Sequence, residues 1–173
     1  MSKNKKHLLS LVLTAIFTAL TVVLSRFFSV NIWNMSIGFS FVSIMLCGML
    51  LGPLWGGICG ALADFVGAIL FPFGPYFPGF TATAFLSGTL FGLVGNASKR
   101  GRRFAPLALV LLTAKELVCS LILNSMFITV LYGGDFFAIA ASRLPLSVVT
   151  LILEFAFALL VGKSVLPRLR KEV

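Results

Sequence analysis

The sequence is poor in charge, and poorest in acidic residues. Of its 173 residues, 11% are charged and 59% are hydrophobic, and the chain has 5 acidic residues against 14 basic ones. Globular domains carry roughly 25% charged residues. So little charge argues against an ordinary water-soluble domain. It predicts a chain that lies mostly within a membrane.

Residue types that build catalytic and metal sites are also scarce. His7 is the only histidine, and Cys47, Cys59 and Cys119 each lie singly inside an apolar run. This pattern supports neither a disulfide framework nor a Cys/His metal site. The sequence also has no Gly-rich phosphate loop and no Ser/His/Asp set. We therefore expect no enzymatic activity, no cofactor, no metal and no ATP site in this chain.

Long apolar runs are what the sequence has in abundance. Each is close to the ~17 to 25 residues that cross a bilayer as a helix. We predict an all-α integral membrane protein, in which residues 1–173 form a single domain with six transmembrane helices in one compact bundle. The predicted helices cover residues 8–28, 35–51, 54–71, 81–96, 104–132 and 136–161.

The cations cluster at three places, within residues 3–6, 99–103 and 163–171. With six spans these places share one side of the membrane, which the positive-inside rule makes cytoplasmic. Both termini are then predicted to be cytoplasmic. The formal charge of +9 is explained by this asymmetry and by attraction to anionic lipid, so it is no argument for binding nucleic acid.

One outer link, residues 71–81, has an unusual composition. It reads Phe-Pro-Phe-Gly-Pro-Tyr-Phe-Pro-Gly-Phe-Thr. Proline stiffens the backbone, glycine permits tight turns, and aromatic faces can stack on a flat ligand. We interpret the segment as a lid that contacts a ligand. The alternative is a loop anchored at the membrane interface, where aromatic residues are common.

Polar side chains near the outer helix ends predict a cavity beneath this lid. Arg26 ends helix 1, Arg143 opens helix 6, and Asn124 lies about 12 Å below the outer end of helix 5. Arginine binds carboxylates through paired hydrogen bonds, and an amide reads the donors and acceptors of a ring. The predicted ligand is flat at one end and anionic at the other. Either arginine could instead anchor its helix at the headgroups.

Four ionisable residues fall at similar depth inside the predicted helices, roughly 13 to 17 Å from the cytoplasmic side. They are Asp64, Lys115, Glu116 and Glu154. Three acids against one base predict that one acid is protonated or that a further cation arrives. We favour a buried charge cluster of Asp64, Lys115 and Glu154 that locks helices 3, 5 and 6 together. A proton or ion pathway is the alternative.

Small residues recur at helical spacing. Gly48, Gly52, Gly56 and Gly60 follow one another every four residues, which predicts a close hairpin of helices 2 and 3. Helix 1 carries Ala15 and Ala19 at the same spacing. From spacing alone, internal packing is the favoured interpretation of that pair, and docking of a partner is the alternative.

The order of these features resembles the S components, the substrate-binding subunits of energy-coupling factor (ECF) vitamin transporters. The resemblance rests on the basic N-terminus, Ala15-x-x-x-Ala19, Gly56-Gly57-x-x-Gly60-x-x-Ala63-Asp64, the six helices and the chain length. Within that family, residues 73–81 followed by the Ala-Phe-Leu-Ser-Gly of residues 84–88 are similar to the folate-specific members.

The resemblance implies a subunit that captures folate outside and delivers it inward, while partner subunits hydrolyse ATP. The implied partners are a transmembrane coupling subunit and two cytoplasmic ATPases, with Ala15 and Ala19 on the docking face. The implied location is the cell membrane of a Gram-positive-type bacterium. Three other functions stay open: a stand-alone ion-coupled carrier of a small aromatic anion, an S component for a different vitamin, and a non-transporting scaffold.

For folate, the chemistry of the ligand assigns roles to the candidate residues. Arginines suit the carboxylates of the tail, aromatic rings suit stacking, and a carboxylate and an amide suit the pterin ring. The candidate ligand-binding residues are Arg26, Tyr76, Phe77, Phe80, Thr81, Glu116, Asn124 and Arg143.

Overall fold

The computed structural model describes residues 3–32, 35–72, 74–98 and 103–162. These residues form six helices and one short β-hairpin, so the predicted all-α membrane bundle is confirmed. Five of the helices are long and apolar enough to cross a membrane. The helices are α1 (Lys3–Phe27), α2 (Ser40–Leu51), α3 (Pro53–Leu70), α4 (Pro78–Ala97), α5 (Phe104–Tyr132) and α6 (Phe136–Leu160).

The predicted start of the second helix at residue 35 is wrong. Strands β1 (Ser29–Ile32) and β2 (Met35–Gly38) form an antiparallel hairpin there, and α2 has only 12 residues. A helix of that length rises about 18 Å, less than the hydrocarbon core of roughly 30 Å. The hairpin pairs its own backbone groups, which non-helical chain at membrane depth requires. Alternating Ser, Val, Asn and Ile favour the extended form.

The predicted start of the fourth helix at residue 81 is also late. Helix α4 begins at Pro78, because the fixed φ of proline suits the first position of a helix and its missing N–H costs nothing there. Phe80 and Thr81 therefore belong to the first helical turn. The aromatic link that remains between α3 and α4 covers residues 71–77.

Glycines bring α2, α3 and α4 into backbone contact. A Cβ built on Gly88 would lie 2.0 Å from the carbonyl oxygen of Gly56, and one built on Gly48 would lie 2.8 Å from the nitrogen of Gly92. No side chain fits at such distances, so only glycine permits this approach. The predicted close hairpin of helices 2 and 3 thus extends to α4 as a third member.

The apolar core lies between α2, α4, α5 and α6. Met45 and Met49 of α2 pack with Phe91 and Val94 of α4 and with Leu112 of α5. All five side chains are buried. Large apolar side chains on the outside of the bundle are exposed, as expected for residues that face lipid.

Helix α5 changes its hydrogen-bond pattern midway. Its first part, Phe104–Lys115, is α-helical, Glu116–Asn124 is π-helical, and Ser125–Tyr132 is α-helical again. The π-helical part contacts α4 and α6. Such turns widen a helix, are rare in proteins, and occur often at functional sites.

We expect Gly88→Ala to destabilise the protein by about 1 to 3 kcal/mol, because the added methyl group overlaps the backbone of α3. The measurement is thermal unfolding of the purified protein in detergent. Ala82→Val is the matched control, since Ala82 lies on the same helix with its side chain exposed. Equal melting temperatures for the Gly88→Ala variant and the unaltered protein would contradict the backbone contact.

Candidate functional site

A cavity of about 310 Å³ lies between α5 and α6, with Ser40 at the start of α2 and Ser87 of α4 also on its wall. Its lining is mainly polar, which is unusual in the interior of a membrane bundle and marks a functional site by default. Helix α5 contributes Lys115, Glu116, Cys119, Ser120 and Asn124. Helix α6 contributes Arg143, Leu146, Ser147 and Thr150.

The polar residues of α6 share one face of that helix. Arg143, Ser147, Thr150 and Glu154 are separated by four, three and four residues, the spacing of a single helical stripe. Pro145 lies inside the helix, between the first two of them. Opposite this stripe, the π-helical part of α5 places Glu116, Ser120 and Asn124 on the cavity wall, and Ser120 Oγ lies 3.3 Å from Ser147 Oγ.

An ion-pair triad of Lys115, Glu116 and Glu154 lies at the inner end of the cavity. Lys115 Nζ is 2.5 Å from Oε1 of Glu116 and 2.5 Å from Oε1 of Glu154. All three residues are buried, and Nζ also lies 5.2 Å from the centre of the Phe91 ring. The ammonium thus joins α5 to α6 and holds one oxygen of each carboxylate. Glu154 Oε2 has no hydrogen-bond partner among the described residues.

Asn124 of the cavity wall is connected through Thr83 to a group of packed aromatic rings. Thr83 Oγ1 lies 3.0 Å from Oδ1 of Asn124 and 2.8 Å from the carbonyl oxygen of Phe80, which orients the Asn124 amide. Phe77 and Phe80 pack against Phe127 with ring centroids 5.1 and 5.9 Å away. We call Phe77, Phe80 and Phe127 the aromatic cluster.

A second polar group ties the aromatic link to α1 and α3. Thr81 Oγ1 donates a hydrogen bond of 2.7 Å to Oδ2 of Asp64, and Tyr76 OH lies 3.0 Å from Thr81 Oγ1. Arg26 interacts electrostatically with Asp64. The Arg26 guanidinium packs on Gly67, where a Cβ would lie 3.0 Å from Nε. We call Arg26, Asp64, Tyr76 and Thr81 the latch group.

Helix α1 presents its two alanines outward. Ala15 and Ala19 are exposed, whereas the neighbouring Thr14 and Thr18 are buried against the bundle. The interpretation of these alanines as internal packing residues is therefore wrong for this chain. The threonines occupy the inner face of the helix and leave the alanines on the surface, where close approach of another helix is sterically easy.

Comparison with known families decides what kind of protein has this architecture. The family model described as the S component of the ECF-type riboflavin transporter matches residues 5–167. The chain belongs to this family of S components. Members of this family are transporter subunits that span the membrane, and the five long apolar helices of this chain agree with that.

Individual relatives of this S component are named as folate transporters. The chain is 33% identical to the folate transporter FolT of Clostridium novyi over 130 residues, which cover 75% of this chain and 74% of that protein. It is also 33% identical to FolT of Leuconostoc mesenteroides over 124 residues, which cover 70% of this chain and 64% of that protein.

Solved structures share the fold. A crystal structure of FolT bound with folic acid superimposes with a TM-score of 0.78 at 31% identity, covering 88% of this chain and 92% of that one. An S component for biotin superimposes with a TM-score of 0.72 at 18% identity, covering 99% and 95%. The second likeness shows that the fold is shared with a relative of low sequence identity.

The structure of the S component divides the predicted site residues. Glu116, Asn124 and Arg143 line the cavity together. The other five candidates do not line it within the part of the chain that the structure describes: Arg26, Tyr76 and Thr81 belong to the latch group, and Phe77 and Phe80 belong to the aromatic cluster.

The predicted grouping of Asp64 with Lys115 needs correction. Among the described residues, Lys115 forms its salt bridges with Glu116 and Glu154, and Asp64 forms none with it. The reason is that two carboxylates from α5 and α6 already surround the ammonium, whereas the carboxylate of Asp64 is held by Thr81 and the charge of Arg26. The predicted lock therefore joins α5 to α6 without α3.

Sequence reasoning missed several cavity residues of the S component. Ser87, Cys119, Ser120, Ser147 and Thr150 carry no charge, so each looks like an ordinary small residue of a membrane helix. The helical spacing of polar residues from Arg143 to Glu154 predicts that Ser147 and Thr150 lie on the same face of α6 as the two charged residues. No comparable signal predicts the π-helical part of α5, because its residues also fit an α-helix.

We expect Lys115→Met to destabilise the protein by up to about 3 to 5 kcal/mol, because it leaves two carboxylates buried without their cation. Thermal unfolding in detergent measures this loss. Adding Glu154→Gln to the variant should restore part of the stability by removing one unpaired charge. An unchanged melting temperature for Lys115→Met would show that the triad is not a stabilising contact.

Proposed function

We propose that this S component captures folate in the cavity between α5 and α6 and delivers it inward on ATP hydrolysis by partner subunits. The observation that carries the proposal is the similarity to two folate transporters and to a FolT solved with folic acid. The mixed lining of the cavity supports it, because folate joins a planar pterin with ring donors and acceptors to a tail with two carboxylates.

The arrangement of the cavity suits one orientation of that ligand. Glu116 at the inner end offers carboxylate oxygens to the ring N–H and amino groups of the pterin, and the Asn124 amide adds a further polar contact. Arg143 lies at the end of the cavity nearer to the start of α6 and suits a carboxylate of the tail. The aromatic cluster is connected to Asn124 through Thr83, and in this proposal its rings approach the aromatic linker of folate from outside the cavity lining.

The latch group gives the aromatic link a defined position. Tyr76 of the link contacts Thr81 in the first turn of α4, which donates to Asp64, so movement of the link requires these contacts to break or to move with it. We assign residues 71–81 the role of a lid that closes over bound folate and excludes water. Tyr76, Phe77, Phe80 and Thr81 then approach the ligand from the lid side, and Arg26 acts through Asp64 rather than at the cavity wall.

The energy for uptake comes from partners in this proposal. A transmembrane coupling subunit docks on the exposed Ala15 and Ala19 of α1, and two cytoplasmic ATPases drive the delivery step. The protein lies in the cell membrane of a Gram-positive-type bacterium, as do Clostridium and Leuconostoc relatives. A stand-alone ion-coupled carrier is the weaker candidate, since the ammonium and carboxylates of the triad pair with each other.

We expect the purified protein in detergent to bind folate tightly and saturably, and to bind riboflavin, thiamine and biotin at least a hundredfold more weakly. Binding is measured by quenching of the fluorescence of Trp33 and Trp55, with the shift in melting temperature as an independent readout. Riboflavin is the sharpest competitor, because the matching family model carries its name. Preferential binding of riboflavin would replace folate in the proposal.

We expect Ala15→Trp to abolish folate uptake or assembly with the partner subunits while folate affinity stays within about threefold. The indole fills a surface that a neighbouring helix must approach closely. Leu20→Trp is the matched control, since Leu20 is exposed on a different face of the same helix. Equal loss of uptake in both variants, or loss of folate binding in Ala15→Trp, would contradict docking at the alanines.

A further inference from the structure

We propose that Thr83 is a positioning residue that turns the carbonyl oxygen of Asn124 toward the cavity, where this oxygen accepts a hydrogen bond from the bridge N–H of folate. The bridge N–H is the group that joins the methylene carbon of the pterin to the benzoyl ring. The inference rests on the proposed function and names a group of the ligand that one part of the cavity wall recognises. It follows from the number of protons at Thr83 and from the separation of Asn124 and Glu116 along α5.

The hydroxyl group of Thr83 meets two oxygen atoms but carries one proton. Thr83 Oγ1 lies 2.8 Å from the carbonyl oxygen of Phe80 and 3.0 Å from Oδ1 of Asn124. A threonine hydroxyl donates one hydrogen bond and can accept others. With an oxygen on both sides, one of the two contacts joins two acceptors and is not a hydrogen bond. Thr83 is buried, where an unsatisfied polar contact is costly.

A half-turn of the Asn124 amide satisfies both contacts. The oxygen and the nitrogen of a carboxamide have nearly the same shape, so this turn exchanges them without moving the rest of the side chain. The Asn124 NH2 group then donates to Thr83 Oγ1, and the Thr83 hydroxyl donates to the carbonyl oxygen of Phe80. Hydrogen bonds linked in this way strengthen one another. The Asn124 carbonyl oxygen is then the end of the amide that points away from Thr83.

The end of the amide that points away from Thr83 is the one available to a ligand. Asn124 lines the cavity, whereas Thr83 is not part of the lining that the described residues form. A carbonyl oxygen accepts hydrogen bonds and cannot donate them. This point of the wall therefore favours an N–H group of the ligand and disfavours an oxygen or an unprotonated nitrogen.

The separation of Asn124 from Glu116 indicates which N–H group that is. The two residues are eight positions apart on α5, a rise on the order of 10 Å along the helix axis. This is longer than two fused six-membered rings. With the amino edge of the pterin at Glu116, Asn124 therefore lies beyond the ring system. The groups that follow the pterin in folate are a methylene carbon, the bridge N–H and the benzoyl ring. The bridge N–H is the donor among them.

The surroundings of Thr83 agree with the surroundings of the bridge N–H. Phe80, whose carbonyl oxygen lies 2.8 Å from Thr83 Oγ1, belongs to the aromatic cluster and packs against Phe127. In folate the bridge nitrogen is bonded directly to the benzoyl ring. One residue of α4 thus connects the amide proposed for the bridge to the rings proposed for the aromatic linker.

The test compares three ligands on the full chain in detergent, by tryptophan fluorescence with thermal shift as a second readout. They are folate, an analogue with a methylene group in place of the bridge N–H, and an analogue with an ether oxygen there. We expect the methylene analogue to bind at least about fivefold more weakly than folate, the loss typical of one neutral hydrogen bond. We expect the ether analogue to bind more weakly still, because its oxygen faces the carbonyl oxygen of Asn124.

Thr83→Val is the matched variant, because valine has nearly the shape of threonine without the hydroxyl group. The freed amide of Asn124 can then turn either end toward the ligand, so folate and the ether analogue should bind within about threefold of each other. Thr83→Ser keeps the hydroxyl group and should keep the full preference for folate. A purely structural role of Thr83 would weaken all three ligands together and leave their ratios unchanged.

Two results would overturn the inference alone. One is an ether analogue that binds the unaltered chain as tightly as the methylene analogue or folate, and the other is an unchanged preference for folate in Thr83→Val. The ligand series on the unaltered chain decides the matter if the valine variant fails to fold. Failure of folate itself to bind would overturn the proposed function and the inference with it.

Discussion

A buried ammonium between two carboxylates is the contact on which the architecture of the site depends. Lys115 bridges Glu116 of α5 and Glu154 of α6 in the interior of a bundle whose outer surface is apolar. Removing one charge from such a group leaves the others buried without compensation, which is costly in a medium without water. The triad therefore fixes α5 against α6 at the inner end of the cavity. It also leaves Glu116 with one carboxylate oxygen, Oε1, bound to the ammonium of Lys115.

The space above the triad coincides with a π-helical part of α5 and with a proline inside α6. The π-helical part of α5 runs from Glu116 to Asn124, along the whole wall of the cavity. On α6, Pro145 cannot donate the backbone hydrogen bond that a helix would make to the carbonyl oxygen of Ala141. Regular helices packed by small residues, as α3 and α4 are at Gly56 and Gly88, leave no such space. The chain thus combines close glycine packing on one side of the bundle with a π-helical segment of α5 on the other.

How much of this could be predicted from the sequence depends on the physical signal. Apolar length predicts the helices well, and glycine spacing predicts the tight side of the bundle. Charge predicts Glu116 and Arg143 as site residues, because a charged side chain inside a membrane is costly and usually serves a function. The position of a residue along a helix gives its depth in the membrane but does not show which neighbouring helix its side chain meets. The prediction therefore grouped Asp64 with Lys115, whereas the Asp64 carboxylate accepts a hydrogen bond from Thr81. The hairpin at Met35 and the cavity serines were missed, since short apolar strands and uncharged hydroxyls resemble ordinary helix residues.

A ligand in the cavity directly above the triad would shield Cys119 from reagents, so the reactivity of this thiol tests where folate binds. All three cysteines are buried, but Cys119 lines that cavity, whereas Cys47 on α2 and Cys59 on α3 do not. The experiment measures the rate at which a small methanethiosulfonate reagent labels Cys119, with and without saturating folate, and uses Cys119→Ser as the blank. We expect folate to slow labelling of Cys119 at least tenfold. Equal labelling rates, while tryptophan fluorescence shows that folate is bound, would place the ligand outside this cavity.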